Sequence, residues 1–297
     1  DLDEAKVNTP KWLWKTWSAT YGESVCRQIA IAHIAGAPLD ISTIGDPQKW
    51  AAELNGDILF ANTIRLTRRG QVTQFPGFQN GQWWVQDAAA RLVVEVAGDV
   101  TGKSVIDLCA APGGKTAQLL ARGAHVTAVD RSAARIERLE RNMERLGFAP
   151  DVVHADISTW RPESPADIVM LDAPCSATGT ARRHPDVLWS KSESDITQLA
   201  AVQQRMMSAA AEVVAPGGLL IFATCSLQPE EGIDHVMPFL DAHSTFQLEA
   251  LKADEVYGLA ETLTPCGCFR SLPSHLSDGG GMDGFFAVKF RRQEDQF

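Results

Sequence analysis

The chain lacks the features of membrane and secreted proteins. It has no run of about 18 apolar residues, which a membrane-spanning helix needs, and no charged start that leads into an apolar signal region. Its 6 cysteines do not follow the spacing of a disulfide framework. Cys266 and Cys268 are close in sequence, but two further ligands at a zinc-like spacing are missing. We therefore expect a cytoplasmic protein with reduced cysteines and no bound metal.

Positive charge is also scarce. The 27 lysines and arginines against 37 aspartates and glutamates give a net charge of −10, which is unfavourable for gripping a phosphate backbone. Any surface for nucleic acid must therefore be local, and a solvated surface is the alternative interpretation of each basic cluster. The candidate clusters are Arg65 with Arg68 and Arg69, Arg182 with Arg183, and Arg291 with Arg292.

The first part of the chain has the pattern of a small α+β domain. We predict helical structure from Asn8 to about Gly36, strands at Leu39–Ile44 and Ile58–Leu66, and a helix at Pro47–Leu54. A loop rich in Gly, Pro and Gln, Gly70–Gly81, marks the boundary. The predicted domains are therefore residues 1–75 and residues 76–297.

From Trp83 onward, short apolar strands alternate with helices. This pattern predicts an α/β Rossmann-like fold, in which a parallel sheet carries helices on both faces. Because ligands of such folds lie beyond the carboxyl ends of the strands, the polar and reactive residues that end the strands should meet in one crevice. The predicted strands are Ser104–Cys109, His125–Asp130, Val152–Asp156, Ile168–Asp172 and Leu219–Thr224.

A glycine turn follows the first of these strands, in the sequence Asp107-Leu-Cys-Ala-Ala-Pro-Gly-Gly-Lys-Thr116. It is neither the Gly-x-Gly-x-x-Gly dinucleotide fingerprint nor a P-loop. Gly113 and Gly114 permit a tight turn and close approach to a ligand, and the N-terminus of the following helix favours a carboxylate. The turn therefore fits an adenosyl cofactor without a pyrophosphate.

Acidic residues end the next three strands. Asp130 stands where doubly wound folds place a carboxylate on ribose hydroxyls, and Asp156 is expected at the adenine edge. A helix cap or a surface position would explain any one such residue. Together with Asp172 and the glycine turn, they predict a nucleoside-containing cofactor.

Two cysteines follow the last two strands, in Leu171-Asp-Ala-Pro-Cys-Ser-Ala-Thr-Gly179 and Ala223-Thr-Cys-Ser-Leu-Gln-Pro-Glu230. The Asp/Asn-Pro-Pro-aromatic sequence common in amino-methylating enzymes is absent. Carbon 5 of cytosine is a poor nucleophile, so a thiolate must first add to carbon 6. A single cysteine would be a small buried hydrophobe. Cys175 and Cys225 at adjacent strand ends instead predict covalent chemistry, with Asp172 hydrogen-bonded to the protonated N3 edge of the ring.

These motifs resemble those of the bacterial RsmB (Sun, or Fmu) family of RNA 5-methylcytosine methyltransferases. The resemblance covers nearly all of Trp83 to Arg292, including Arg182-Arg-His-Pro-Asp-Val-Leu-Trp189 and Asp283-Gly-Phe-Phe286. It implies that Cys225 is the nucleophile and that Cys175 assists product release. In DNA cytosine methyltransferases the Pro-Cys cysteine attacks instead, but their Glu-Asn-Val motif is missing here. The residues implied to contact S-adenosylmethionine are Cys109, Ala110, Ala111, Pro112, Gly113, Gly114, Lys115, Asp130, Arg135, Asp156 and Asp172.

The resemblance also implies an RNA substrate, ribosomal RNA above all. Ala37–Arg69 loosely resembles the small RNA-contacting unit of the family, and of the NusB-like helical domain that many members carry we expect no more than remnants before Gly36. Arg182, Arg183 and His184 are expected to contact phosphates beside a flipped-out cytosine, unless their loop only caps a helix at the surface.

Other functions remain open at this point. They are methylation of tRNA, methylation of a small molecule or a protein on the same fold, and RNA binding without catalysis. Both cysteines and Asp172 favour the RNA 5-methylcytosine methyltransferase, and we expect it to be a monomer.

Overall fold

The computed structural model describes residues 2–67 and 70–294, which form a 4-stranded and an 8-stranded sheet. None of the helices in these two ranges combines the length and the apolar character needed to cross a membrane. The helices are α1 Glu4–Val7, α2 Lys11–Tyr21, α3 Glu23–Ala35, α4 Pro47–Leu54, α5 Ala88–Glu95, α6 Gly114–Ala121, α7 Ala133–Leu146, α8 Glu193–Ala211 and α9 Val236–Ala242. The strands are β1 Leu39–Thr43, β2 Gly56–Phe60, β3 Thr63–Leu66, β4 Trp83–Val85, β5 Ser104–Leu108, β6 His125–Asp130, β7 Asp151–His154, β8 Ala166–Asp172, β9 Val214–Thr224, β10 Phe246–Leu248, β11 Phe269–Ser271 and β12 Phe285–Arg292.

Helices α2 and α3 form the segment from Asn8 to about Gly36 that was predicted to be helical, and the short helix α1 precedes it. Gly22 separates α2 from α3 at a φ of +87°, a conformation that other residues rarely adopt. These helices pack against the loop that follows β9: Trp17 Nε1 donates to Gln228 Oε1 at 2.6 Å, and the hydroxyl of Tyr21 donates to the Leu227 carbonyl at 2.6 Å. The N-terminal helices therefore brace a loop at the carboxyl edge of the large sheet.

The small sheet is antiparallel, in the order β2-β3-β1-β4. The predicted helix Pro47–Leu54 is confirmed, but the single strand predicted at Ile58–Leu66 is wrong, because a turn at Ala61 and Asn62 divides it into the hairpin β2–β3. Asn62 stabilises this turn by donating from Nδ2 to the Thr43 carbonyl at 3.2 Å. Strand β4 completes the small sheet from beyond residue 75, and the division into domains at that residue stays a prediction.

The large sheet has the order β10-β12-β9-β8-β5-β6-β7, and β11 also pairs with β12. Strands β5 to β9 are parallel, as predicted. Strand β9 begins at Val214 rather than Leu219, because an irregularity in its register with β8 accommodates the Pro216-Gly-Gly segment. Strand β7 ends at His154, which leaves Asp156 in the turn beyond it. The antiparallel strands β10 to β12 were not predicted.

Helices cover both faces of the large sheet, as its sequence pattern predicted. Alternate residues of each strand point to opposite faces. Ile221 packs with α5 and α6 on one face, whereas its neighbour Phe222 packs with α8 and α9 on the other. Both side chains are fully buried. The sheet is thus held between two apolar layers, and its carboxyl edge is left for polar residues.

The core position of Phe222 gives a prediction about stability. Its ring packs edge-on against Phe286 and His235. We expect Phe222→Ala to lower the free energy of unfolding by about 3–5 kcal/mol, because it leaves a cavity in a closely packed layer. Urea denaturation followed by circular dichroism measures the change. Met237→Ala, at a side chain that is 62% exposed, is the control and should change stability by less than about 0.5 kcal/mol. Equal losses in both variants would contradict this assignment of the core.

Candidate active site

The register of β8 with β9 brings the two cysteine loops together. Asp172 at the end of β8 pairs with Ala223 of β9 in a parallel ladder. Cys175 and Cys225 follow these paired residues, and their Sγ atoms lie 3.4 Å apart. Both cysteines line one cavity of about 430 Å³ at the carboxyl edge of the sheet.

The same cavity gathers the predicted residues from all five parallel strands. Beyond the two cysteines, its lining includes Cys109 after β5, Asp130 and Arg135 after β6, Asp156 after β7 and Asp172 at the end of β8. Cys109, the first residue of the glycine turn, lines the cavity. The structure describes residues 110–115 as well, and none of them lines the cavity. The structure therefore brings the predicted strand-end residues together.

The glycine turn is held by packing and by a buried hydrogen bond. A Cβ on Gly113, whose φ is +99°, would lie 2.9 Å from Met143 Cε, whereas a Cβ on Gly114 would meet nothing within 4 Å. Asp107 Oδ2 accepts a hydrogen bond from the Thr116 hydroxyl at 2.6 Å. Among the described residues, its buried Oδ1 has no hydrogen-bond partner, and burial raises the pKa of Asp107 to about 7.

The carboxylates of Asp130 and Asp156 are oriented by neighbouring N–H and O–H groups. Asp130 accepts from the backbone N–H of Ala111 at 3.2 Å and of Ser132 at 3.0 Å, and Arg135 pairs with it at 3.4 Å. Asp156 accepts from the hydroxyl and the backbone N–H of Ser158, which hold its pKa below the usual value. Both groups remain on the cavity wall as hydrogen-bond acceptors.

Lys115 and Asp172 form an ion pair beside the sulfur atoms. Lys115 Nζ lies 2.7 Å from Asp172 Oδ2, and the exposed fractions of the two side chains are 11% and 30%. Burial alone would lower the pKa of Lys115, but the Asp172 carboxylate outweighs this effect and raises it. Lys115 therefore stays charged and orients Asp172.

The cavity cysteines differ in their surroundings. The hydrogen bond to Cys225, together with burial, raises the pKa of the Cys175 thiol well above its usual value. Burial, with the nearby carboxylates of Asp172 and Asp130, raises the pKa of Cys109 to about 12. Both thiols hold their protons at neutral pH, and Cys175 can donate its proton to the sulfur of Cys225.

The basic loop after Cys175 requires a correction. The Arg182 side chain is 0% exposed and its guanidinium pairs with Asp87 at 3.2 Å and with Asp283 at 3.1 Å, so it is not available to a phosphate. Arg183 contacts the same two carboxylates but is 24% exposed. Next to it, His184 is exposed. Burial, followed by the charge of Asp87, raises the pKa of Asp283 to about 6.

The other basic clusters are also engaged in internal contacts. Arg65 is buried and pairs with Asp40 at 2.7 Å, and Arg291 pairs with Glu249. Arg292 donates to the Val214 carbonyl at 2.6 Å. The remaining members of the first cluster, Arg68 and Arg69, lie outside the described residues. The clusters that were candidates for nucleic-acid contact therefore largely stabilise the fold.

Sequence analysis missed Glu231, which is fully buried beside the two cysteine loops. Its carboxylate accepts hydrogen bonds from the hydroxyls of Ser176 and Ser226, the residues that follow the two cysteines. The acidic pair Glu230-Glu231 after β9 was the available signal. It does not indicate which of the two is buried, because that depends on how the turn packs.

The remaining close cysteines lie elsewhere. Cys266 Sγ lies 3.6 Å from Cys268 Sγ, and neither lines the cavity. In residues 2–67 and 70–294, no group of three or more His, Cys, Asp or Glu side chains is arranged to hold a metal ion.

Comparison with known proteins gives a consistent result. The family model described as "16S rRNA methyltransferase RsmB/F" matches residues 97–291. Ribosomal RNA small subunit methyltransferase B of Cronobacter sakazakii is 41% identical over 235 residues, which are 77% of this chain and 52% of that protein. The chain thus spans about half the length of the curated relatives it matches.

Solved structures have the same fold. A methyltransferase homologue from Pyrococcus horikoshii is 25% identical with a TM-score of 0.78, and the match covers 98% of this chain and 97% of that one. NSun6 from Pyrococcus horikoshii, solved with SFG, is 19% identical with a TM-score of 0.80, over 96% of this chain and 99% of that one. Because the family match extends over more than half of the sequence, the chain belongs to the RsmB/F family of 16S rRNA methyltransferases.

Proposed function

We propose that the protein methylates carbon 5 of a cytosine in ribosomal RNA, with S-adenosylmethionine as methyl donor and Cys225 as covalent nucleophile, acting as a cytoplasmic monomer. The contact of 3.4 Å between the sulfurs of Cys175 and Cys225 carries the proposal, since both cysteines line the cavity that also holds Asp172. An enzyme that methylates an amino group has no use for two thiols at this place. The family to which the chain belongs supports the same reaction.

The carboxyl edge of the large sheet fits S-adenosylmethionine, with the carboxylates on the cavity wall and the glycine turn, which joins the cavity at Cys109. The open space at Gly114 allows a ligand to approach the backbone closely. Asp107 Oδ1, which is buried and has no hydrogen-bond partner among the described residues, lies at the base of the same turn. The turn Cys109–Lys115, Asp130 with Arg135, Asp156 and Asp172 would hold the cofactor. When bound, it supplies an electrophilic methyl group.

Cys225 begins the reaction. As N3 of the cytosine takes up the proton that the Cys225 thiol gives up, the sulfur adds to carbon 6, and a carbon–sulfur bond forms while electron density moves to carbon 5. Asp172, oriented by Lys115, accepts a hydrogen bond from the protonated N3 edge and so stabilises the charge that develops on the ring. Carbon 5 then takes the methyl group.

Cys175 acts after methyl transfer. Carbon 5 still carries a proton, and because the Cys175 thiol holds a proton of its own, a water that its sulfur positions takes the proton from carbon 5. The electron pair of the broken carbon–hydrogen bond restores the ring double bond, and the bond between Cys225 and carbon 6 breaks. The contact between the two sulfurs keeps the second thiol next to the bond that must break.

The roles proposed for Cys225 and Cys175 predict opposite phenotypes for their alanine variants. We expect Cys225→Ala to abolish the covalent adduct and lower turnover by at least about 10³-fold, because the attacking atom is lost. Cys175→Ala should accumulate a protein–RNA adduct, since release is blocked. Each variant is incubated with cofactor and radiolabelled 16S rRNA, and the adduct is detected as a shifted band on a denaturing gel.

The control is Cys266→Ala, an exposed cysteine outside the cavity, which should behave like the wild type. Methylation by Cys225→Ala would refute the nucleophile assignment, and normal turnover without adduct in Cys175→Ala would refute the release role. Parallel reactions with tRNA and with protein acceptors separate the proposed substrate from its alternatives.

For RNA contact we propose the exposed His184 and the partly exposed edge of Arg183, together with the small domain of residues 1–75. The loop that carries His184 and Arg183 follows Cys175, which makes it a neighbour of the target base. We expect His184→Ala to raise the Kd for RNA by about 3- to 10-fold, the cost of one polar contact. Fluorescence anisotropy with labelled RNA measures it, and His154→Ala, at another exposed histidine, serves as control. An unchanged Kd in His184→Ala would contradict the contact.

Asp107 predicts a pH dependence of stability in the free protein. Its folded-state pKa of about 7 lies above the ordinary value of 3.8, so the folded state binds the proton more tightly than the unfolded state does. The free energy of unfolding should therefore fall as pH rises from about 4 to about 7, by at most about 1.4 kcal/mol per pH unit from this group.

The variant Asp107→Asn isolates this contribution, because an amide oxygen can still accept from Thr116. We expect the stability of the variant relative to the wild type to increase between pH 5 and pH 7. Urea denaturation at several pH values measures the difference. Parallel pH profiles for the two proteins would show that Asp107 does not carry the raised pKa.

A further inference from the structure

Glu231 is a buried carboxylate whose partners are all neutral. It is 0% exposed and ends the short turn Pro229–Glu231 after β9. Oε1 accepts from the Ser176 backbone N–H at 2.9 Å and from Gln203 Nε2 at 3.0 Å. Oε2 accepts from the Ser226 hydroxyl at 2.6 Å and from the Ser176 hydroxyl. Within the described part of the chain, no lysine, arginine or histidine forms an ion pair with it.

These partners place Glu231 between the two reactive loops. Ser176 directly follows Cys175, and Ser226 directly follows Cys225. The backbone of Glu231 adds a further link, because its carbonyl accepts from the Thr224 hydroxyl at 2.7 Å, one residue before Cys225.

Gln203 of α8 completes the connection on the other loop. Its Nε2 donates to the Pro174 carbonyl at 2.9 Å, one residue before Cys175, as well as to Glu231. His235 contacts Gln203 Oε1 at 3.0 Å and so fixes the orientation of the amide. The residues on both sides of each cysteine are therefore hydrogen-bonded to Glu231 or to its direct partner Gln203.

The charge of Glu231 acts on the Cys175 thiol. After the hydrogen bond to Cys225 and burial, the negative charge of Glu231 is a further cause of the raised pKa of Cys175. The Glu231 side chain accepts four hydrogen bonds, from Ser176 twice, Gln203 and Ser226, and within the described residues it forms no ion pair. Its effect is to hold the proton on the sulfur that does not attack.

We propose that Glu231 is a positioning residue for the methyl transfer: its hydrogen bonds hold the sulfurs of Cys175 and Cys225 in contact, and its charge keeps the shared proton on Cys175. The proposal rests on the proposed function for its catalytic consequence. The placement of the proton is a property of the protein alone. The two parts can therefore be tested separately.

Glu231→Gln separates the charge from the hydrogen bonds. The glutamine oxygen can accept from the two N–H donors, and its amide can donate to the serine hydroxyls, which can reorient. The bridge is kept and the charge is removed. Glu231→Ala removes both. Glu230→Gln, at the exposed neighbouring acid, is the matched control for loss of one negative charge.

The first experiment measures the reactivity of Cys175 without RNA. In a Cys225→Ser background, iodoacetamide modification of Cys175 is followed at pH 8.5 by peptide mass spectrometry. We expect Glu231→Gln to accelerate modification by about threefold or more, because loss of a neighbouring negative charge increases the thiolate fraction. Glu230→Gln should leave the rate unchanged. Equal rates with and without Glu231 would overturn the role of its charge.

The second experiment measures catalysis with both cysteines intact. Glu231→Ala should lower kcat by about tenfold or more while KM for RNA stays within about twofold, since misplaced reacting groups affect the chemical step rather than binding. Glu231→Gln should recover most of this loss. An unchanged kcat in Glu231→Ala, or an equal loss in Glu231→Gln, would overturn the bridging role. If the wild type methylates no RNA, the proposed function fails, and the modification rates still decide whether the charge of Glu231 acts on the Cys175 thiol.

Discussion

The pairing of β8 with β9 is the constraint on which the site depends. The parallel ladder continues past the strands through the Ala173 N–H, which donates to the Ala223 carbonyl at 2.9 Å. The loop after β8 then returns to the loop after β9, where the Gly179 N–H donates to the Cys225 carbonyl at 2.9 Å. Two backbone contacts thus enclose Cys175 and fix its distance from Cys225. A slip in the register of the two strands would separate the sulfurs.

This arrangement leaves no room for a side chain at the return point. A Cβ on Gly179 would lie 1.9 Å from the Gly284 carbonyl oxygen, and the Gly284 N–H donates to the Gly179 carbonyl at 2.8 Å. Gly284 directly precedes β12, the antiparallel strand beside β9. The segment that leads into β12 therefore packs against the loop that carries Cys175. Gly179 and Gly284 are required because the two backbones are in contact, and not because the chain turns there.

Charge is distributed in an unexpected way. Breaking a buried ion pair is costly because it leaves an uncompensated charge, so the cluster of Asp87, Asp283, Arg182 and Arg183 fixes the geometry where α5, the loop after β8 and the segment before β12 meet. Arginines that pair with buried carboxylates are not available at the surface to bind another molecule. Under the proposed function, contact with RNA would then depend on the cations that stay exposed, such as Arg205 at the cavity.

The sequence predicted the parallel sheet, because short apolar runs that alternate with helices are local signals. It also predicted that the strand ends meet, because the carboxyl ends of parallel strands lie at the same edge of a sheet. It did not predict that Arg182 is buried or that Glu231 bridges two loops. Those properties depend on partners far away in sequence: Asp283 for Arg182, and Ser176 for Glu231. A run of basic residues looks the same whether it faces solvent or two buried carboxylates. Strand β12 was missed for a similar reason, since its place in the sheet is set by pairing with β9.

The cavity cysteines show how one side chain acquires different properties from its surroundings. The thiols of Cys109 and Cys175 both have raised pKa values, one mainly through burial near carboxylates and the other mainly through its contact with Cys225. For Cys175, a hydrogen bond and a negative charge act in the same direction, and both raise the pKa of its thiol. The differences between these thiols therefore arise from the surrounding carboxylates and hydrogen bonds and not from the cysteines themselves.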